Sequence, residues 1–121
     1  MIVVIATDAP LSDRNLERLA RRAFLAIGRT GSPITNGSGD YAVAFSTHAG
    51  VRRTAARRAE ATAYDELGNE AMTPLFQAVV EATEEAVLNS LFRARTMRGH
   101  RGTIEALPIA DVMRHYRGRA R

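Results

Sequence analysis

The feature that most constrains the fold is the apolar run in residues 1–6, which reads Met-Ile-Val-Val-Ile-Ala and precedes Thr-Asp-Ala-Pro. A short run rich in Ile and Val that ends at a turn signal is typical of a buried strand. Because both faces of this strand are apolar, we expect other layers to cover both. The run is too short to cross a membrane, and no basic segment precedes it as in a signal peptide. We therefore expect a cytoplasmic protein with no membrane contact.

Two segments show the three- and four-residue spacing of amphipathic helices. The first begins after Ser12, a suitable N-cap, and runs to about Arg29, with Gly31 as the residue that ends it. The second begins at residues 73–74, Thr-Pro, because Thr can cap a helix and Pro is favoured at the first helical position. Its predicted buried stripe consists of Phe76, Val79, Val80, Thr83, Val87 and Leu91.

The second strand is predicted at residues 41–46, where large side chains alternate with small ones. A strand with one bulky face suits packing between two layers. A loop around Gly99 and Gly102, a short extended piece at residues 104–107 and a terminal helix at residues 111–117 follow. Two strands are too few for an independently stable sheet, so an α/β chain of this kind is either an incomplete folding unit or one that needs partners.

The loop at residues 36–40, Asn-Gly-Ser-Gly-Asp, carries the densest potential chemistry. Glycines on both sides can expose the Ser38 hydroxyl, and Asp40 is close enough in sequence to accept a hydrogen bond from it. An active-site loop and an ordinary turn both fit this composition. The chain has no Cys, and its three His residues are scattered, so we expect no metal and no cofactor.

Seven segments in order resemble the β subunit of DmpA-type aminopeptidases, the family of L-aminopeptidase/D-esterase/D-amidases and β-peptidyl aminopeptidases. The most specific are Ile-Val-Val-Ile-Ala-Thr-Asp-Ala-Pro-Leu at residues 2–11 and Asn-Gly-Ser-Gly-Asp-Tyr-Ala-Val-Ala-Phe-Ser-Thr at residues 36–47. The others lie at residues 16–23, 29–32, 74–91, 96–102 and 106–108. The likeness covers nearly the whole chain outside residues 50–72.

The resemblance implies a fold and a set of partners. The fold would be the β-subunit portion of a four-layer αββα sandwich, with residues 1–121 as a single region. Residues 48–72 lie mostly outside the likeness, and their four Arg and four acidic residues indicate a surface excursion within that region. The first strand would lie centrally, and the two long helices would cover one sheet. The partners would be an α subunit from the N-terminal part of a precursor, further αβ units in a homo-oligomer, and a small peptide or amide substrate.

The resemblance also implies a mechanism, in which a precursor cleaves itself between Gly and Ser and the new N-terminal Ser becomes the nucleophile. Its own α-amino group, with a pKa of about 8, would serve as the general base. By position, Ser38 matches the family's second active-site serine, and Asp40 matches an acidic residue that orients the amine or hydroxyl. Asn36, Gly37 and Gly39 would belong to the loop that contacts substrate and the oxyanion.

The sequence departs from this pattern at its first residue. The nucleophilic Ser would stand immediately before Met1, and a thioether cannot perform acyl transfer. We therefore expect an aminopeptidase or amidase portion that is inactive alone. Four explanations fit the missing Ser: a truncated gene, a start codon assigned too late, a fragment whose upstream part lies elsewhere, or a nonenzymatic descendant.

Two other functions are compatible with the sequence. The formal net charge is +4 and every basic residue is Arg. Residues 93–121 hold eight Arg and two acidic residues, which would suit a small nucleic-acid-binding protein. An Arg-for-Lys bias from a GC-rich genome explains the same numbers, so nucleic acid is not the expected partner. An autocleaving acyltransferase of the ornithine acetyltransferase type is the second alternative, and its motifs match less well.

Overall fold

The computed structural model describes residues 1–119, which divide into two compact units, one covering Met1–Glu84 and the other beginning at Glu85. In the first unit, strand β1 (Ile2–Thr7) is followed by helix α1 (Asp13–Arg29), strand β2 (Tyr41–Ser46) and the short helix α2 (Ala55–Ala59). Helix α3 (Met72–Phe92) comes next, and strands β3 (Met97–Gly99) and β4 (Gly102–Ile104) and helix α4 (Ile109–Arg119) complete the order. That residues 1–121 act as one β-subunit-like region stays a prediction.

Strands β1 and β2 form a parallel pair joined through α1. Their register places Ile2 opposite Tyr41, Val4 opposite Val43, and Thr7 opposite Ser46. Backbone bonds close the ladder at both ends, from the Tyr41 N–H to the Met1 carbonyl at 2.9 Å and from the Thr47 N–H to the Thr7 carbonyl at 2.8 Å. The start of β1 therefore lies beside the residue that precedes β2, which is Asp40.

Helix α1 begins and ends as its sequence predicts. The Ser12 side chain accepts a hydrogen bond from the Asn15 N–H, so Ser12 is the N-cap. At the other end, the Ser32 N–H donates to the Ile27 carbonyl and the Gly31 N–H donates to the Gly28 carbonyl. These two bonds with Gly31 at φ 98° form a Schellman motif. The motif turns the chain sharply out of α1 and into the loop that leads to β2.

The core of the first unit lies on the face of the β1–β2 pair that carries the small side chains of β2. Leu11, Leu19, Met72 and Val79 form its buried centre, and half-buried Ile5 and Ala44 pack against it from the two strands. Helices α1 and α3 both contribute, as predicted, and an ion pair of 2.7 Å joins Arg29 Nε to Glu84 Oε2. The predicted start of α3 was wrong by two residues, because the backbone is already helical at Met72. Pro74 lies in the first turn, where its missing N–H costs no intrahelical bond.

The other face of the β1–β2 pair is exposed, which contradicts the prediction that both faces of the first strand are covered. Ile2 is 72% exposed and Val43 is 56% exposed. This surface, called the open face below, consists of Ile2, Val4, Ala6, Tyr41, Val43 and Phe45. Helices α1 and α3 pack on the opposite side, and no residue of the first unit supplies a second layer. The apolar pattern of β1 is typical of a strand in a core, but this unit does not supply the layer that would cover its second face.

The segment between β2 and α3 contains α2 and two 3₁₀ turns, and most of its residues are exposed. One point of attachment is the Glu66 carboxylate, which accepts hydrogen bonds from the Ser12 hydroxyl and from Asn15 Nδ2, the latter at 2.7 Å. The Leu67 N–H also donates to the Pro10 carbonyl at 2.8 Å. These bonds hold the end of the segment against the start of α1.

In the second unit, β3 and β4 form an antiparallel hairpin in which Gly99 pairs with Gly102. The sequence predicted a loop here and an extended piece only at residues 104–107, so β3 was missed and β4 was placed too late. Three-residue strands are too short to show an alternating pattern.

Helix α4 is longer than the predicted residues 111–117. The predicted basic tail includes residues 120–121, which lie outside the described residues. Within residues 1–119, no helix is long and apolar enough to span a bilayer.

Candidate active site

The candidate site is centred on the Asp40 carboxylate, at the end of the loop that enters β2. Only 8% of the Asp40 side chain is exposed. Its Oδ1 accepts a hydrogen bond of 2.7 Å from the Met1 α-amino nitrogen, and its Oδ2 accepts one from the Ser38 hydroxyl. The Met1 nitrogen also donates to the Gly39 carbonyl at 3.1 Å. The structure thus brings together Ser38, Asp40 and the start of β1.

These contacts determine the charge state of Asp40. The pKa of Asp40 is lowered below its ordinary value. The hydrogen bond from the Met1 amine has the largest effect, and the hydrogen bond from Ser38 and the positive charge of the amine act in the same direction, whereas burial opposes them. Both bonds favour the ionised form. A carboxylate that stays charged can hold an ammonium group or orient a hydroxyl beside it.

A tight turn carries the loop to this point. The Ser38 N–H donates to the Thr35 carbonyl at 2.9 Å, and Gly37 lies at the third position of the turn with φ 93°. A type II turn requires a positive φ there, which is why glycine suits it. Asn36 and Gly37 form the exposed tip, and Gly39 presents its carbonyl oxygen to Met1. The substrate and oxyanion roles predicted for these three residues stay predictions.

His48 and His115 make their described hydrogen bonds to residues nearby in the sequence. The His48 Nδ1 accepts a hydrogen bond from the Gly50 N–H, and the His115 Nδ1 is 2.8 Å from the Asp111 carbonyl oxygen. In the part of the chain that the structure describes, no three His, Cys, Asp or Glu side chains are grouped so that they could hold a metal ion.

Sequence reasoning identified Ser38 and Asp40 but missed two features around them. The first is the open face, which begins at Ile2 and Tyr41, directly beside the site. The second is Ile34, which has a positive φ of 47° in the same loop. A bulky β-branched residue carries no sequence signal for that conformation, whereas the alternation at residues 41–46 could have indicated an exposed apolar face.

The sequence model of peptidase family S58 matches residues 1–105 of the chain. The chain belongs to this family. The match confirms the resemblance to DmpA-type aminopeptidases. β-Peptidyl aminopeptidase BapA of Sphingosinicella microcystinivorans is 42% identical over 97% of the chain. The chain spans 30% of the length of that relative.

Solved structures of similar chains show the same fold. The PH0078 protein of Pyrococcus horikoshii OT3 is similar over 99% of the chain, with a TM-score of 0.86 and 45% identity, and the chain covers 33% of it. The L-aminopeptidase D-Ala-esterase/amidase of Ochrobactrum anthropi is similar over 95% of the chain, with a TM-score of 0.81 and 39% identity, and the chain again covers 33% of it. That enzyme is described as a prototype of the serine aminopeptidases and a new variant of the Ntn-hydrolase fold.

The fold-class prediction, an α/β portion of a DmpA-like sandwich, is confirmed by these neighbours. The relatives are aminopeptidases, so they favour the hydrolase prediction over the nucleic-acid-binding and acyltransferase alternatives. The chain corresponds to about a third of each solved protein.

Proposed function

We propose that this chain is the β-subunit-like portion of an autoprocessing serine aminopeptidase or amidase that releases N-terminal residues from short peptides, amides or esters. One observation carries the proposal: the nitrogen of Met1 lies 2.7 Å from Asp40 Oδ1, and Ser38 donates to the other oxygen of the same carboxylate. A residue joined to that nitrogen lies one peptide unit away, about 3.8 Å between Cα atoms. A Ser there would stand beside the Ser38–Asp40 pair.

In this proposal the chain's own residues position the nucleophile. The Asp40 carboxylate holds the α-amine of the Ser before Met1, and the Ser38 hydroxyl fixes the orientation of the carboxylate. The amine takes the proton of the nucleophilic hydroxyl as the hydroxyl attacks the substrate carbonyl, and then passes that proton to the departing amine. Water hydrolyses the resulting ester and restores the free hydroxyl. Asn36, Gly37 and Gly39 are the candidate contacts to substrate and oxyanion.

The open face supports an α-subunit partner. Side chains alternate along a strand, so the residue before Met1 shares a face with Ile2, which is 72% exposed. The nucleophile would therefore point to the same side as the apolar surface that a second sheet would cover. Because sheets that pack face to face are about 10 Å apart, such a partner would enclose the nucleophile in a cleft. We further propose a homo-oligomer of αβ units and a cytoplasmic location.

The test is a precursor in which Gly-Ser precedes Met1 and the upstream part of BapA from Sphingosinicella microcystinivorans precedes that pair. Intact-mass spectrometry should show two fragments, the second beginning with the Ser, and an aminoacyl p-nitroanilide should be hydrolysed. The matched control replaces that Ser with Ala and should remain a single, inactive chain. BapA itself serves as the positive control.

A polypeptide made to start at Met1 should not hydrolyse the p-nitroanilide, because it carries no hydroxyl at the nucleophile position. Turnover by that polypeptide at the rate of the processed protein would contradict the proposal, and so would activity in the Ala control.

A further inference from the structure

Ile34 has an unusual backbone conformation. Its φ is 47°, whereas the other described residues with a positive φ are glycines: Gly31, Gly37 and Gly102. The left-handed region is sterically unfavourable for a β-branched side chain, since its Cβ meets the following carbonyl. Such a conformation persists only where the surrounding structure fixes it, and it is found most often at functional sites. Ile34 lies in the loop that carries Ser38 and Asp40.

The bonds on either side of Ile34 connect it to the site. Its N–H donates to Ser32 Oγ at 3.2 Å, directly after the Schellman motif that ends α1. The next residue, Thr35, accepts the bond from the Ser38 N–H that closes the turn. The Cα atoms at the two ends of such a turn are less than about 7 Å apart. The direction of the chain at Ile34 therefore determines where Ser38 lies.

We propose that Ile34 is a positioning residue whose left-handed backbone aims the Thr35–Ser38 turn so that the Ser38 hydroxyl meets the Asp40 carboxylate. Ile34 itself is 40% exposed, and a glycine at this position would adopt either sign of φ about equally readily. The proposal rests on the proposed function only for its catalytic consequence, because the bond from Ser38 to Asp40 exists in this chain by itself.

The first test is an NMR titration of the Asp40 carboxyl carbon in the 121-residue chain. In Ile34→Pro, the ring fixes φ near about −65° and excludes the left-handed conformation. The turn should move, and the pKa of Asp40 should rise to the value found in Ser38→Ala. In Ile34→Asn, which tolerates a positive φ, the titration should match the unchanged chain. Ser32→Ala is the matched control, since it removes the bond to the Ile34 N–H without restricting φ.

A double variant sharpens this test. If both substitutions break the same hydrogen bond, Ile34→Pro combined with Ser38→Ala should titrate like either single variant. An Asp40 titration in Ile34→Pro equal to that of the unchanged chain would overturn the proposal. So would a rise in Ile34→Asn as large as in Ser38→Ala. The intraresidue NOE between the amide and α protons of residue 34, which is strong only at a positive φ, provides a check in the unchanged chain that needs no Pro variant, and a negative φ there would also overturn the proposal.

The second test uses the processed enzyme and separates this inference from the proposed function. In Ile34→Pro, kcat should fall about as far as in Ser38→Ala, by tenfold or more, with little change in KM, while Ile34→Asn should retain activity. If the unchanged enzyme has no turnover, the proposed function fails and the titration still decides the role of Ile34. If turnover is normal but Ile34→Pro retains full kcat, the positioning role fails and the function stands.

Discussion

The open face provides the most quantitative test of the proposal that this chain is one layer of a larger sandwich. We choose Val43→Thr because it keeps the β-branched shape and the strand preference and changes one methyl group to a hydroxyl. In the 121-residue chain Val43 is 56% exposed, so the hydroxyl remains hydrated. The free energy of unfolding should fall by less than about 1 kcal/mol, since fully burying such a side chain is worth roughly 1.5–3 kcal/mol.

In the assembled enzyme the same hydroxyl would face a second apolar sheet. An unsatisfied buried hydroxyl costs about 1–3 kcal/mol, so the loss of stability should grow by that amount on assembly. The matched control is Val3→Thr, the identical substitution in β1. Val3 is half-buried and alternates to the same side of β1 as Ile5, which packs against the core. The cost of Val3→Thr should be the same in the isolated chain and in the assembled enzyme, because its surroundings do not change.

The assay is urea unfolding followed by circular dichroism, on the isolated chain and on the processed enzyme, with both variants in parallel. Equal destabilisation of the isolated chain and the enzyme by Val43→Thr would show that no second layer covers the open face. An increase on assembly for Val3→Thr and not for Val43→Thr would likewise contradict a partner on that face.

Three further predictions follow from the first unit. Leu19→Ala should lower the free energy of unfolding by about 2–5 kcal/mol in urea titrations, because Leu19 is 1% exposed in the core; a loss below 1 kcal/mol would contradict the core assignment. Gly37→Ala should lower stability by about 1 kcal/mol in thermal unfolding because φ is 93° there, and Gly37→Asn should cost less; equal effects would argue against the turn geometry. The lowered pKa of Asp40 implies stability that is fully present above its unfolded-state value of about 3.9 and lost as pH falls through the lower folded-state value. Thermal unfolding of the chain between pH 5 and 2 should therefore be less pH-dependent in Asp40→Asn, and identical pH dependence would contradict the contacts at that carboxylate.

The sequence predicted the local elements with strong signals. Ser12 caps α1 and Gly31 closes it, because caps depend on a few backbone bonds that particular residue types supply. Strand β2 was placed correctly from its alternation, whereas the hairpin at residues 97–104 was missed, since three-residue strands show no period. Pro74 indicated the start of α3 two residues late, because Pro is tolerated throughout the first turn.

The candidate site was predicted in its residues but not in its geometry. Ser38 and Asp40 came from a resemblance to a family motif, and their spacing alone also fitted an ordinary turn. Their approach to Met1 depends on the parallel pairing of β1 with β2, a contact across almost 40 residues that local sequence does not determine. The left-handed conformation of Ile34 could not be predicted from sequence, because the intrinsic preference of a β-branched residue disfavours it.

The central claim is that the residue before Met1 is the nucleophile and that Ser38 and Asp40 only assist it. The most direct measurement is to trap the acyl-enzyme by acid-quenching the processed enzyme with an aminoacyl ester, and to locate the added mass by peptide mapping. The acyl group should be on the Ser that precedes Met1, in a peptide separate from the one that contains Ser38. An acyl group on Ser38 would contradict it.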